Sequence, residues 1–111
     1  MTNSEPVWKA AVAKDDLLEA IGFVRTRAGL RVQGIKLEPD VVILSCAQGL
    51  SLRTAQMACD IPADGTWPSP IRANGAMLRR LASKLSGPEV TLEYVEGGLL
   101  LNTTSVPARE I

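Results

Sequence analysis

The chain has 111 residues, 46% of them hydrophobic, which suits one folded domain with one core and argues against disorder. Its 12 basic and 12 acidic residues cancel, so the net charge indicates neither a nucleic-acid nor a membrane partner, and any such role requires a local patch. No apolar run approaches the ~20 residues of a membrane span, and the start, MTNSEP, lacks the basic and apolar regions of a signal peptide. We therefore predict a cytoplasmic protein, with a disordered tail at residues 1–6 and a single domain at residues 7–111.

The first half of the chain predicts a strand, a helix and three further strands. They are expected at residues 7–13, from about residue 15 to residue 28, and at residues 30–38, 41–47 and 50–60. Asp16 and Glu19 have the spacing of a capping box at the helix start, and Gly29 ends the helix. The apolar run from Val41, rich in β-branched residues, is typical of a central strand, and a bulge is expected in the strand that follows the turn at Gly49.

The second half repeats this order. Strands are expected at residues 69–73, 89–95, 99–103 and 106–111, and a helix at residues 75–86. Asn74 suits the N-cap of that helix, because its side-chain oxygen can accept from a free amide of the first turn. Gly87 and Pro88 suit its end. The last strand is expected at an edge, because Pro107 limits its pairing.

Each predicted helix is apolar on one side only. In the first, the apolar stripe contains Leu17, Ile21, Val24 and Ala28. In the second, it contains Leu78, Leu81, Ala82 and Leu85. The sequence therefore predicts an α+β fold of two βαβββ repeats, with both helices packed on one face of a curved antiparallel sheet.

Several local runs resemble one protein family. The run IPADGTWP at residues 61–68 is similar to the loop that leads into the family's second repeat. Ile71, together with Met77-Leu78 and Leu81, is similar to the start of the helix that follows this loop. The family's hairpin after that helix is similar to three features here: VTLEY at residues 90–94, the Gly97-Gly98 turn and the Leu99 run. The start of the family's first helix is similar to Lys14 with Leu17-Leu18. The family is that of the DNA sliding clamps, which includes the bacterial DNA polymerase III beta subunit and proliferating cell nuclear antigen.

This resemblance implies a non-enzymatic domain that binds DNA as part of a ring. Family rings close around DNA with six such domains, carried two or three to a chain, whereas this chain has one, so a ring would require self-assembly through edge strands. The runs after Gly49 and after Thr104 are the expected edges. Family helices are rich in Lys and Arg, but here the outer face of the first helix is acidic and apolar. The family's partner groove lies between domains, so none of its residues transfers to this chain.

Catalytic patterns are weak in this sequence. It contains no histidine, and the adjacent Asp15 and Asp16 suit a helix start better than acid–base chemistry. Asp64-Gly65 lacks the alternating oxygen ligands of a calcium loop, and Gly97-Gly98 suits a hairpin turn better than a phosphate loop. We expect no enzymatic activity, no metal, no cofactor and no small-molecule substrate.

The two cysteines, Cys46 and Cys59, lie in apolar runs typical of strands. A protein that is not exported has little reason to pair them, so we expect two buried, reduced thiols. The sequon at Asn102 is a chance match if the protein is intracellular.

Two surfaces are the candidate sites. Arg79, Arg80 and Lys84 lie on a predicted helix without any acid, so they are candidates for DNA phosphate contacts, and Arg72 joins them if its strand faces the same way. The competing interpretation is an ordinary solvated helix face. Phe23, the only phenylalanine, faces away from the core stripe and is the candidate protein interface, or else an unremarkable exposed aromatic.

Two functional hypotheses remain open at this point. The first is a clamp-like binding domain that associates with duplex DNA weakly and without sequence preference, through self-assembly. The alternative is a protein–protein interaction module that keeps the clamp-like fold without encircling DNA. Both predict a homo-oligomer or a protein partner, and neither predicts a membrane.

Overall fold

The computed structural model describes residues 7–28, 30–32, 35–37, 40–54 and 57–111, so the tail expected at residues 1–6 lies outside the described residues. The described chain contains two helices and eleven strands. The first half comprises β1 (Trp8–Ala13), α1 (Lys14–Ala28), β2 (Leu30–Val32), β3 (Ile35–Leu37), β4 (Asp40–Cys46), β5 (Gly49–Arg53) and β6 (Ala58–Pro62). The second comprises β7 (Asp64–Thr66), β8 (Ile71–Asn74), α2 (Gly75–Lys84), β9 (Glu89–Val95), β10 (Gly98–Leu101) and β11 (Thr104–Glu110).

Nine strands form one antiparallel sheet in the order β6-β5-β4-β8-β11-β10-β9-β1-β7, and β2 pairs with β3 in a separate hairpin. The two helices pack on each other and on this sheet, α1 against β5 and β6 and α2 against β8 and β11. The predicted α+β class is therefore confirmed, as are its two helices and its antiparallel sheet.

The nine-stranded sheet is strongly curled. Its edge strands, β6 and β7, follow each other in the chain with only Ala63 between them. A flat sheet would hold its outer strands roughly 38 Å apart, because neighbouring strands lie about 4.8 Å from each other. At the edge strand β7, the backbone of Gly65 lies very close to the paired strand β1: a Cβ there would lie 2.0 Å from the Lys9 carbonyl oxygen, and φ is +146°. Only glycine suits both conditions.

The core lies between the helices and the sheet. Val41 and Ile43 are fully buried, whereas the alternate β4 residues are partly exposed. Trp67 is also buried, and its indole Nε1 donates to the Ile43 carbonyl oxygen at 2.8 Å. In the described part of the chain, every buried side-chain nitrogen or oxygen has a hydrogen-bond partner. The remaining buried apolar side chains include Leu17, Ala20, Ile21, Val24, Leu78, Ala82, Leu92, Leu99 and Leu101.

The two helix starts differ in their capping. Asn74 caps α2 as predicted, since its Oδ1 accepts from the Met77 amide at 3.0 Å. The capping box predicted for α1 is wrong, because the helix already begins at Lys14 and places Asp15 and Asp16 within its first turn. Carboxylates in a first turn still interact favourably with the positive end of the helix.

Two of the runs predicted as single strands each form two strands that pair with each other. The strand expected at residues 30–38 divides into β2 and β3, which pair with each other. The strand expected at residues 50–60 divides into β5 and β6, with a reversal in place of the expected bulge. The Thr54 amide donates to the Met57 carbonyl oxygen at 2.9 Å, and Thr54 Oγ1 accepts from the Met57 amide at 3.3 Å. A threonine that bonds backbone groups in this way favours a turn over a continuous strand.

Of the two runs expected at the sheet edges, the run after Thr104 forms the interior strand β11, whereas the run after Gly49 forms the interior strand β5 and the edge strand β6. β5 lies between β6 and β4, and β11 lies between β10 and β8. Pro107 is tolerated because it is the point at which β11 changes partner: Thr104 to Pro107 pair with β10, and Ala108 to Glu110 pair with β8. The actual edges are β6 and β7, an order that depends on lateral pairing rather than on local composition.

Neither cysteine is in a disulfide, but both are partly exposed rather than buried as expected. Cys59 lies on the edge strand β6 and therefore lacks a second strand beside it. Partial burial raises the pKa of its thiol, and the carboxylates of Glu19, Asp60 and Asp16 raise it further.

Candidate nucleic-acid interface

The helix α2 is held at both ends. Asn74 caps its first turn, and after Lys84 the backbone becomes extended at Leu85, whose amide donates to the Ala82 carbonyl oxygen at 3.3 Å. The Leu85 carbonyl oxygen in turn accepts from the Lys14 ammonium group, which connects the end of α2 to the start of α1. This anchoring holds the outer face of α2 in a defined orientation.

The outer face of α2 carries only basic charges. Gly75, Leu78 and Ala82 are buried against the rest of the protein, and Arg79, Arg80 and Lys84 are exposed. Among the described residues, none of these three cations lies within 4.0 Å of a carboxylate, the sole ion pair being Lys9 with Glu93. Arg80 and Lys84 are four positions apart and project from the same side of the helix. This arrangement suits contact with phosphate oxygens, which requires charge but no base recognition.

Arg72 does not join this group. It lies on β8 between the buried residues Ile71 and Ala73, so it points to the sheet face opposite the core. On that face it is in register with Arg109 of β11 and with Val42 of β4. Its proposed part in DNA binding therefore belongs to a different surface from that of α2.

The outer sheet face carries a second basic row, which no sequence pattern predicts. Arg53 is in register with Val42, so Arg53, Arg72 and Arg109 lie along one line across β5, β8 and β11. Arg53 Nε also donates to Ser51 Oγ at 3.1 Å. No local pattern identifies this row, because its members are far apart in the chain and meet only through strand register.

The helix α1 presents a different surface. Asp15 and Glu19 are exposed and Asp16 is partly buried. Phe23 is 39% exposed, which agrees with its predicted position outside the core stripe. The carboxylates near the start of α1 weaken the attraction of this side of the molecule for phosphate.

Comparison with known proteins finds no family model that matches the chain and no curated protein that matches its sequence. Within the described ranges, no helix combines the length and the apolar character needed to cross a membrane. The same residues contain no group of three or more His, Cys, Asp or Glu side chains placed to hold a metal ion.

Proposed function

We propose that this chain is a non-enzymatic binding domain of the sliding-clamp type, which contacts duplex DNA through the outer face of α2. The observation that carries this proposal is the exposed trio Arg79, Arg80 and Lys84, on a helix without an acidic residue. Such a surface binds the DNA backbone weakly, without sequence preference and with strong salt dependence.

The strand pairings support a two-repeat, clamp-like architecture. The strand before each helix pairs with the first strand of the nine-stranded sheet that follows the other helix: β1 pairs with β9 after α2, and β8 pairs with β4, which follows α1 and the β2–β3 hairpin. The β6–β7 run and β11 also correspond, since each pairs with one neighbour along its first part and another along its second. Such reciprocal strand pairing between the two halves is expected if two βαβββ units are related by an approximate two-fold axis.

A single domain covers only part of the circumference of a duplex, so encirclement requires several copies. Exposed strand edges favour pairing between chains. In the described sheet these edges are β6 and β7, each with one neighbour. Asp15 and Glu19 on α1 oppose the attraction of α2 for phosphate, which is why we expect weak binding.

The proposal is tested by the affinity of the protein for duplex DNA as a function of salt. The variant Arg79→Glu/Arg80→Glu should abolish binding, because it reverses two of the three charges. The matched control is Arg53→Glu/Arg109→Glu, which makes the same charge change on the outer sheet face and should retain binding. No salt-dependent binding of the wild type, or equal loss in both variants, would reject the α2 interface.

A protein-interaction module that does not encircle DNA is the second candidate. It is favoured by the interior position of β11, which removes one of the two runs expected to join subunits. Phe23 on α1 is then the proposed contact with another chain.

Phe23→Ser should weaken self-association in sedimentation experiments without unfolding the protein. Met77→Ser on α2 is the matched control, because Met77 is 38% exposed and Phe23 39%. If Phe23→Ser unfolds the chain, or if both variants self-associate as the wild type does, Phe23 is not an interface.

A further inference from the structure

A groove with aromatic walls and an acidic rim lies where β1 begins and where β9 and β11 end, away from α2. It has a volume of about 700 Å³ and is lined by Val7, Trp8, Glu93, Tyr94, Val95, Glu96 and Glu110. Val7 is 60% exposed and Val95 57%, so two of the most exposed large apolar side chains in the described chain flank this groove. Exposed apolar residues gathered at one concave surface are typical of a binding site.

The two aromatic rings of the groove are held in place. Trp8 and Tyr94 face each other across β1 and β9, with ring centroids 5.2 Å apart and an interplanar angle of 76°. The Trp8 indole Nε1 donates to the Ser69 carbonyl oxygen at 2.9 Å, which fixes the plane of that ring. The Tyr94 hydroxyl accepts from the Gly97 amide at 3.4 Å. Ordered rings of this kind can receive a cation on a ring face.

The rim of the groove is negatively charged. Glu96 and Glu110 have no cation within 4.0 Å among the described residues, and Glu93 has only Lys9, at 4.0 Å. Glu110 Oε1 accepts from Ser69 Oγ at 2.9 Å, which orients the carboxylate. Glu96 and Glu110, which lack close countercharges, attract a positively charged ligand and repel the phosphates of DNA.

A second acidic groove shows why the aromatic rings matter. It is lined by Asp16, Asp64 and Glu89 together with small apolar residues and prolines, and no aromatic side chain reaches it. The two grooves therefore have the same count of carboxylates but differ in the surface that can hold a cation or an apolar side chain.

We propose that the groove formed by Trp8, Tyr94, Glu96 and Glu110 docks a segment of a partner protein in which Arg or Lys alternates with an apolar residue. The basic side chains lie against the indole and the carboxylates, and the apolar side chains lie against Val7 and Val95. Arginine suits this site particularly well, because its planar guanidinium stacks on aromatic rings and binds carboxylates. The proposal concerns a surface distinct from α2 and does not depend on DNA binding.

The test is a titration of the full chain with a capped hexapeptide of alternating Arg and Leu, followed by tryptophan fluorescence. Trp8 lies in the groove, whereas Trp67 is buried, so the change in emission should come from Trp8. We expect saturable binding that weakens with salt, and loss of the emission change in Trp8→Phe. A capped peptide of alternating Glu and Leu should not bind, and spermine should bind more weakly than the Arg-Leu peptide, because it lacks apolar side chains.

Matched charge variants locate the binding. Glu96→Gln/Glu110→Gln should raise the dissociation constant of the Arg-Leu peptide about fivefold to tenfold, as expected from removing two exposed charge pairs. Asp64→Asn/Glu89→Gln removes two negative charges from the other groove and should change the dissociation constant less than about twofold. The proposal is wrong if the peptide shows no saturable binding up to about 1 mM. Equal weakening by both double variants, or equal binding of spermine and peptide, also rejects it.

Discussion

The two helices pack on each other and on the same sheet but present different surfaces. Both bury an apolar stripe, with Leu17, Ile21 and Val24 on α1 and Leu78 and Ala82 on α2. Outside that stripe, α1 exposes the carboxylates of Asp15 and Glu19 and the ring of Phe23, whereas the only charged residues of α2 are the exposed cations Arg79, Arg80 and Lys84. The fold constrains only the buried stripe, because that is the part that must fill the core. The exposed faces are free to differ, and function is therefore expected there.

The largest expected effect is on stability, and it distinguishes the buried stripe of α1 from the exposed face of α2. Ile21→Ala on α1 should lower the free energy of unfolding by about 2–5 kcal/mol, because Ile21 is 0% exposed and its removal leaves a cavity. Met77→Ala on α2 should change it by less than about 1 kcal/mol, because that side chain is 38% exposed. Urea denaturation measures both values. Comparable losses in the two variants would mean that the α2 face is as structural as the α1 stripe.

The next largest expected effect is on the stability contributed by the N-cap of α2. Asn74→Ala should lower stability by about 1 kcal/mol, since it removes the acceptor of the Met77 amide. Asn74→Ser is the matched control and should restore most of the loss, because a serine hydroxyl accepts from the same amide. Thermal and urea denaturation measure both. A serine variant as unstable as the alanine variant would show that capping is not the source of the loss.

The smallest expected effect is on the reactivity of Cys59, which lies near the α1 carboxylates Glu19 and Asp16. Partial burial raises the pKa of the Cys59 thiol, and Glu19, Asp60 and Asp16 raise it further. Glu19→Gln should lower this pKa and speed alkylation of Cys59 by iodoacetamide roughly twofold at a fixed, mildly alkaline pH. Peptide mapping by mass spectrometry measures the rate. Glu93→Gln, on β9, is the control and should leave the rate unchanged.

The same raised pKa has a consequence for stability. As the pH rises through the thiol range, the unfolded chain loses the Cys59 proton before the folded chain does, because the folded pKa is the higher of the two. Deprotonation therefore favours the unfolded state, and stability falls with rising pH in that window. Cys59→Ser should remove this contribution, and an unchanged alkaline slope in that variant would place its origin elsewhere.

Some of the candidate sites were predictable from sequence because they depend on one element alone. The exposure of Arg79, Arg80 and Lys84 follows from the helical period of a single segment, and so does the partial exposure of Phe23. The groove around Trp8 and Tyr94 was not predictable, because it combines residues of β1, β9 and β11 that meet only in the folded chain. The arginine row on the outer sheet face has the same origin.

By itself, the sequence determined the two helices, most of the strands and the stripes that form the core, because hydrophobic period and capping residues act over a few positions. Only the tertiary structure decided which strands are neighbours. It placed β11 inside the sheet despite Pro107, moved Arg72 to the face opposite α2, and left β6 and β7 as edges joined through Ala63. Lateral strand order depends on long-range pairing across the whole chain, and local composition carries little information about that pairing.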